Sequence, residues 1–280
     1  MAKANQAKKA KHVKPVKRGK QAQPLQAKSP GAMSAAKNGQ LAGRIPAIDA
    51  LRGFAMLLMI AYHFCFDLQQ FHFLHQDFNH NPFWLIARAV IVSLFLLIVG
   101  ISLVLSRQQG LRYFWWREAR LALCAALVTV ASMLMFPSSY IFFGILHFIL
   151  VASLAGLLLL PYSRFMLVPG IAIILAGILY SNPLFDQSWL QWIGLMTHKP
   201  ITEDYVPMFP WLGVVLIGMF IADYVIVRRK SAWTNWLVDS KLPKPISLLT
   251  KPGRHGLLIY MVHQPLLLAG LSAWTWLFPR

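Results

Sequence analysis

Asp49, Arg52, His63 and Asp67 are ionisable side chains within one largely apolar stretch of the chain. In a helix each residue turns by 100°, so Arg52 and His63 lie about 20° apart, and both aspartates lie about 60° from Arg52 in the same direction. An imidazole can act as a base or nucleophile near neutral pH. An ionised group at the centre of a membrane helix costs on the order of 3 kcal/mol. We therefore expect this face to look into protein or a wet cavity rather than into lipid.

The composition is that of an integral membrane protein. Of 280 residues, 57% are hydrophobic and 13% are charged, and the mean hydropathy is +0.54. A soluble domain is about 45–50% apolar. We expect an all-α polytopic transmembrane helical bundle of about seven spans, with eight as the alternative. The predicted spans are 46–66, 83–105, 118–136, 140–160, 164–180, 208–228 and 255–276.

A further apolar run, residues 184–196, is too short to cross a membrane. With Trp189 and Trp192 it is predicted to be an interfacial or re-entrant piece, because tryptophan favours the membrane surface. Counting it as a span would give the alternative of eight.

Basic residues predict the orientation. Alternate connections between the spans place 23 of the 27 Lys and Arg residues on one side and two on the other. Connections that remain in the cytoplasm accumulate Lys and Arg, so the N-terminus is predicted to be cytoplasmic. In a bacterium the membrane would be the inner one. The same asymmetry accounts for the net charge of +18, and no nucleic-acid partner is expected.

Residues 1–43 are mainly Lys, Ala, Gln and Pro with few bulky apolar side chains. Such a segment cannot bury enough surface to fold, and we expect a disordered basic cytoplasmic arm attracted to anionic headgroups. It does not resemble a cleavable signal, since the apolar run begins only near residue 45 and carries charged groups.

The first predicted helix has features suited to its start. Pro46 fits the first turn, and Asp49 lies near the positive end of the helix dipole. Asp49 and Arg52 are three residues apart and can pair, while Gly53 permits a neighbouring helix to approach closely. His63 lies about 16 Å further along the axis. A packing interface remains an alternative to function for Asp49 and Arg52.

The string IDALRGFAMLLMIAYH at 48–63 resembles the first helix of membrane acetyltransferases related to heparan-alpha-glucosaminide N-acetyltransferase, particularly their bacterial members. The wider membrane acyltransferase superfamily has a similar D-x-x-R-G followed by His at this spacing. Further similar blocks are FLLIVGISLVLS at 95–106, FFGILHFI at 142–149, PWLGVVLIGMF at 210–220 and GRHGLLIYMVHQP at 253–265. Residues 44–280 would then form a transmembrane acyltransferase-like domain.

The resemblance implies transfer of an acetyl group from cytosolic acetyl-CoA to an acceptor across the membrane, commonly an amine or hydroxyl of a sugar. The implied partners are the lipid bilayer and a small-molecule or glycan acceptor, and an oligomer is left open. The chemistry needs a base or an acyl carrier, for which His63 is suitably placed, and cations for the CoA phosphates, for which Arg52 is suitably placed.

One departure from the family pattern leaves the catalytic histidine ambiguous. The animal lysosomal member has Asn in place of His63, and its functional His lies in the following lumenal segment. Here that segment offers His72 and His75. We rank His63 first and His75 second, with His147 of the fourth span as a third candidate.

Other polar residues are candidates for substrate contact or support of the site. They are Asp49, Asp67, Arg88, Tyr260 and His263. Tyr260 and His263 share a helical face in the last span, and for Arg88 the alternative is an outward orientation along the membrane surface.

Arginines near the predicted cytoplasmic helix ends could bind the CoA phosphates, because a guanidinium group makes bidentate phosphate contacts. Those chosen besides Arg52 are Arg117, Arg120 and Arg254, with Arg107 and Arg112 nearby. The positive-inside bias alone also places arginines there. In the predicted extracytoplasmic loop, Asp186, Glu203 and Asp204 could receive a cationic or sugar acceptor, although solvated loop acids are more common.

The segment between the first two spans contains His72, His75 and His80 with Asp67 and Asp77. Their spacing is a weak metal-ligand pattern, and no metal is predicted. The alternative is a polar loop whose aromatic residues, Phe71, Phe73 and Phe78, rest on the membrane surface. Cys65 and Cys124 fall in or beside different spans and imply no disulfide framework.

A second function remains open, a proton-coupled transporter or channel in which the same His and Asp groups form a relay. No clear inverted repeat is visible, which disfavours common transporter architectures. A retinal-type protein is disfavoured because the last predicted span has no Lys for a Schiff base.

Overall fold

The computed structural model describes residues 45–228 and 242–278, and these residues form helices and connecting turns. The α-helices are α1 Pro46–Gln70, α2 Pro82–Leu105, α3 Gly110–Met135, α4 Ile145–Leu159, α5 Leu167–Leu179, α6 Met208–Ile221, α7 Lys244–Leu248, α8 Thr250–Arg254 and α9 Gly256–Leu277. The prediction of an all-helical membrane bundle is confirmed. The predicted basic arm, residues 1–43, lies outside the described residues.

Five helices of the described residues are long and apolar enough to cross a membrane: α1, α2, α3, α4 with its 3-10 extension to Phe165, and α9. The shorter apolar helices α5 and α6 lie at the predicted fifth and sixth spans, and a π-helical turn, Ala222–Arg228, follows α6. The count agrees roughly with the seven predicted spans.

The ends of two spans differ from the sequence prediction. Helix α1 continues to Gln70 rather than ending at residue 66, and α3 begins at Gly110 rather than 118. Backbone hydrogen bonding continues through polar residues beyond the apolar run, so hydropathy understates helix length. The φ of Gly110 is 81°, which favours glycine, and this turn sets the start of α3.

Glycines bring the helices that surround α6 into backbone contact. A Cβ on Gly100 of α2 would overlap the carbonyl oxygen of Val215, and one on Gly218 of α6 would overlap that of Leu97. Helices α5 and α6 cross similarly at Gly170 and Gly213. Small residues permit the close approach on which helix packing in membranes depends. The three helices form a tight unit, and α2 also packs against α1.

A further crossing joins α1 to α8. A Cβ on Gly53 would overlap the carbonyl oxygen of Leu249, and a Cβ on Gly253 would overlap that of Asp49. The prediction that Gly53 permits a close helix approach is therefore confirmed. Helix α8 leads through His255 into α9, which continues without interruption past Pro265.

The predicted interfacial run contains two short 3-10 helices, Pro183–Asp186 and Gln191–Ile193, in the connection between α5 and α6. Neither is long enough to cross a membrane. We call this side of the bundle the loop end, and the opposite side, where Arg52, Arg117 and Arg254 lie, the arginine end.

The expectation that Phe78 rests on the membrane surface is wrong. Its side chain is 2% exposed, and its ring stacks on Trp84 with centroids 4.1 Å apart. The rings of Tyr62 and Phe66 meet Phe78 edge on. Aromatic packing of this kind adds to burial, and it fastens the α1–α2 connection onto the bundle.

The α1–α8 crossing predicts the effect of Gly253→Val. The added side chain has no space against the Asp49 carbonyl, and such overpacking typically costs about 1–3 kcal/mol. We expect a lower Tm in a detergent thermal-unfolding assay. Gly270→Ala in α9 is the control, because nothing lies within 4 Å of a Cβ there. Equal Tm values for the two variants would contradict the crossing.

Candidate functional site

Asp49 is a buried carboxylate shared by two arginines at the arginine end. Its Oδ1 accepts from Arg52 Nη1 at 2.9 Å, and its Oδ2 accepts from Arg254 Nε at 3.4 Å. Arg52 Nη1 also donates to the Gly253 carbonyl at 3.3 Å, and its Nη2 donates to Ser102 Oγ at 2.7 Å. The predicted Asp49–Arg52 pair thus joins α1, α2 and α8, and phosphate binding by Arg52 stays a prediction.

His63 lies further along the same face of α1 and meets His263 of α9. The two ring centroids are 5.1 Å apart, with an angle of 65° between the rings. His263 is 8% exposed, whereas His63 is partly exposed. The rings of Tyr62 and Tyr260 lie beside this pair, on α1 and α9 respectively. The structure therefore brings together a first-ranked candidate and a residue that we had placed in support.

The tautomer of neutral His263 follows from its hydrogen bond. Nδ1 lies 2.7 Å from the Tyr260 carbonyl oxygen, which can only accept, so Nδ1 carries the proton. Nε2 then bears a lone pair, and it has no hydrogen-bond partner among the described residues. A fixed tautomer with a free ring nitrogen is the usual arrangement of an oriented histidine base.

Asp67 and Gln264 form a polar contact beyond the histidine pair, toward the loop end. The Gln264 amide donates to Asp67 Oδ1 at 2.8 Å, and the aspartate is fully buried. The other carboxyl oxygen of Asp67 and Oε1 of Gln264 lack partners within the described part of the chain. Because Gln264 follows His263, this bond helps hold α9 at the level of His63.

Asp204 reaches the same region from the connection before α6. Its Oδ2 accepts from the Ile145 amide at 2.8 Å and lies 3.5 Å from the Tyr260 hydroxyl, which donates. Burial raises the pKa of the Asp204 carboxyl, and the hydrogen bond from Ile145 opposes that shift. Desolvation lowers the pKa of the nearby Lys199 ammonium group, and Arg88 lowers it further. Arg88 also lies within electrostatic reach of the Asp204 carboxylate and lowers its pKa.

His147 lies in the first turn of α4 with both ring nitrogens engaged. Nδ1 accepts from the Gly144 amide at 3.3 Å, so Nε2 carries the proton in the neutral ring. Nε2 lies 3.1 Å from the Thr129 hydroxyl, which in turn donates to the Ile141 carbonyl at 2.8 Å. This chain of bonds caps α4 and ties it to α3. A catalytic role for His147 stays a prediction.

At the arginine end, Arg117 is held by a buried carboxylate. Its Nε and Nη2 donate to Glu118 Oε1 at 2.9 and 2.7 Å, and Nη2 also donates to Ser153 Oγ at 3.1 Å. Glu118 is 3% exposed, and its Oε2 has no partner within the described residues. Arg117 lines an open pocket of about 290 Å³ together with Arg107. An anion could enter it, since two guanidinium groups border it.

The remaining cofactor candidates have exposed side chains. Arg120 and Arg254 are exposed, as is Arg112. Arg254 nevertheless pairs with Asp49, so its guanidinium group is partly committed to holding α8 against α1. Their binding to CoA stays a prediction.

The histidines of the α1–α2 connection differ from the His63–His263 pair in their exposure. His75 is exposed, and His80 pairs with Asp77 at 2.8 Å on the surface. Within residues 45–228 and 242–278 no three His, Cys, Asp or Glu side chains are grouped to hold a metal ion. Cys65 and Cys124 are free thiols.

Sequence reasoning missed several polar partners or gave them little weight. Gln264, Ser102 and Ser153 were not chosen, although each bonds a predicted site residue across helices. Glu118 was also missed, and its position within an apolar helix was the available signal. Asp204 was considered as a possible acceptor contact in a loop, but a solvated loop acid was given as the more common case.

The family comparison agrees with the resemblance found in the sequence. A family model described as heparan-alpha-glucosaminide N-acetyltransferase, catalytic, matches residues 44–265. The chain has no match among curated proteins or solved structures. The matched range covers most of the described helices and includes both His63 and His263. The protein therefore belongs to the family of the heparan-alpha-glucosaminide N-acetyltransferase catalytic domain.

Proposed function

We propose that this membrane protein transfers an acetyl group from cytosolic acetyl-CoA to a sugar amine or hydroxyl on the other side of the bacterial inner membrane. The observation that carries the proposal is the His63–His263 pair, placed at the α1–α9 interface of a membrane acetyltransferase family member. An imidazole can act as the general base or as the acyl carrier that acetyl transfer requires.

In the proposed reaction, His63 takes a proton from the acceptor amine or hydroxyl. The acceptor nitrogen or oxygen then bonds to the thioester carbonyl carbon, and the carbon–sulfur bond breaks. The CoA sulfur leaves as a thiolate and takes up a proton, which balances the reaction. A variant of this route passes the acetyl group to His63 first, and the same side chain serves both.

The arginine end is proposed as the donor entrance. Arg117 borders the open pocket there, and Glu118 and Ser153 hold its guanidinium group. Phosphate groups suit such a fixed guanidinium group. The cytoplasmic location of this end rests on the distribution of Lys and Arg.

The opposite side is proposed to receive the acceptor. Asp204 lies against Tyr260, whose ring contacts His263, so a carboxylate stands near the proposed base. A carboxylate can accept hydrogen bonds from sugar hydroxyl or amino groups. Asp67 and Arg88 are the further groups proposed to line this side.

The first test is acetyl-CoA-dependent release of free thiol by the purified protein with amino sugars as acceptors. His63→Ala should lower the turnover at least about a hundredfold, because a general base typically contributes 10²–10⁴-fold. His80→Ala, in the same exposed connection, is the matched control and should retain activity. Full activity of the His63 variant would move the chemistry to His75 or His147. No thiol release by wild-type protein, with dissipation of a pH gradient in vesicles, would favour the transporter alternative.

The donor entrance predicts a selective effect of Arg117→Lys. A lysine keeps the positive charge but cannot reproduce the forked contacts, so KM for acetyl-CoA should rise about tenfold while KM for the acceptor stays unchanged. Arg164→Lys is the control, since Arg164 is exposed at the same end and lies over the Phe165 ring. A larger effect of Arg164→Lys would move donor binding away from Arg117.

Asp204→Asn should weaken acceptor binding without changing KM for acetyl-CoA. The wild-type carboxylate loses its charge as pH falls through its pKa, which burial raises from its ordinary value. Acceptor affinity should therefore be present above that pKa and fall with decreasing pH. The Asn variant should lack this dependence, although Tyr260, Lys199 and Arg88 remain nearby.

The control for this profile is Asp186→Asn, in the same connection. Asp186 accepts from the Thr197 amide and hydroxyl at 2.8 Å, away from Tyr260. The Asp186→Asn variant should leave the dependence of acceptor affinity on pH unchanged. An identical pH profile for wild type and Asp204→Asn would remove Asp204 from the acceptor site.

A further inference from the structure

His263 Nε2 is a buried acceptor without a donor. Its lone pair is implied by the Nδ1 contact to the Tyr260 carbonyl at 2.7 Å, and no described residue donates to it. Leaving such a group unmet costs about 1–3 kcal/mol in a folded protein. A donor therefore belongs beside it when the site is in its working state.

The groups around His263 narrow the choice of donor. The Tyr260 hydroxyl is directed to Asp204, and the Gln264 amide donates to Asp67. Among the described residues, the ring that contacts His263 besides Tyr260 is that of His63. Across residues 45–228 and 242–278, His63 makes ring contacts with Tyr62 and His263 but no hydrogen bond.

The separation of the two rings fits a hydrogen bond between them. A nitrogen-to-nitrogen bond of about 3 Å between two imidazoles places their centroids roughly 5 Å apart. The observed separation is 5.1 Å. Such a bond requires the partly exposed His63 ring to turn about its side-chain bond until an N–H group faces His263 Nε2.

We propose that His263 is a positioning residue that fixes the tautomer and orientation of His63. Its Nε2 accepts the N–H of His63, so the other ring nitrogen of His63 keeps its lone pair and faces the acceptor. The Tyr260 carbonyl fixes His263, His263 fixes His63, and only His63 touches the acceptor. This inference rests on the proposed function and adds a second histidine to it.

The proton balance of the step is simple. The free nitrogen of His63 takes the proton of the acceptor as the new bond to the acetyl carbon forms and the carbon–sulfur bond breaks. The resulting imidazolium ion donates its other N–H to His263 Nε2 throughout. His263 thus stabilises the developing positive charge without itself losing or gaining a proton.

Two substitutions separate this role from a structural one. In His263→Asn, the amide nitrogen can still donate to the Tyr260 carbonyl, but the short side chain leaves nothing at the Nε2 position. In His263→Gln, the longer amide can offer its oxygen there. We expect kcat of the Asn variant to fall at least about tenfold with KM for acetyl-CoA unchanged, and the Gln variant to recover part of the loss.

His255→Asn is the matched control, because His255 is exposed at the start of α9. The proposal is overturned if His263→Asn keeps the wild-type kcat, or if both His263 variants are equally slow while their Tm values match wild type. A parallel rise in KM for acetyl-CoA in both variants would also overturn it.

A readout without turnover distinguishes this inference from the proposed function. In protein labelled with ¹⁵N-histidine, the His63 resonances, assigned with His63→Ala, should report one protonated and one unprotonated nitrogen. His263→Asn should turn this pattern into an average of both tautomers. An averaged pattern in the wild type overturns the positioning role even where thiol release is seen. A fixed pattern that collapses in the Asn variant supports it even where no acceptor is acetylated.

Discussion

The shared ion pairs of Asp49 hold together the part of the protein on which the site depends. A buried carboxylate in an apolar bundle must be paired, because a buried charge without a partner is strongly destabilising. Arg52 and Arg254 pair with Asp49 from α1 and α8, and Arg52 also reaches Ser102 of α2. The need to pair the Asp49 carboxylate and the close backbone approach at Gly253 therefore both hold α8 against α1.

That contact sets the register of α9 along α1. Helix α9 follows α8 after a single residue, so fixing α8 leaves α9 little freedom to slide. The Gln264–Asp67 bond fastens the other side of the interface. His263 lies between the two fastenings and consequently meets His63. The Asp49 ion pairs and the Gln264–Asp67 hydrogen bond thus bring the two histidines together by ordinary helix packing. A packing role for Asp49 is therefore compatible with a functional role for the face of α1 on which it lies.

The sequence predicted those features that one helix carries by itself. The polar face of α1, the close approach at Gly53 and the apolar spans follow from helical periodicity and residue size. The residues that bond to that face could not be predicted. Gln264 and Ser102 are far from it in the chain, and as uncharged residues they are not marked as site residues by their type. Phe78 was misplaced for a related reason: its burial depends on Trp84 and Tyr62, which only the fold brings together.

The distance between the two ends bears on the choice between direct transfer and an acetyl-histidine intermediate. Arg52 and His63 are separated by eleven residues of one helix, or about 16 Å. Under the proposed function, CoA phosphates at Arg117 and a thioester at His63 require a donor extended along the bundle, and the pantetheine arm of CoA is long and flexible. Direct attack then needs the acceptor to meet the thioester beside His63. Asp204 reaches Tyr260 from the connection before α6, and the Tyr260 ring contacts His263, so under the proposed function donor and acceptor would meet beside one histidine.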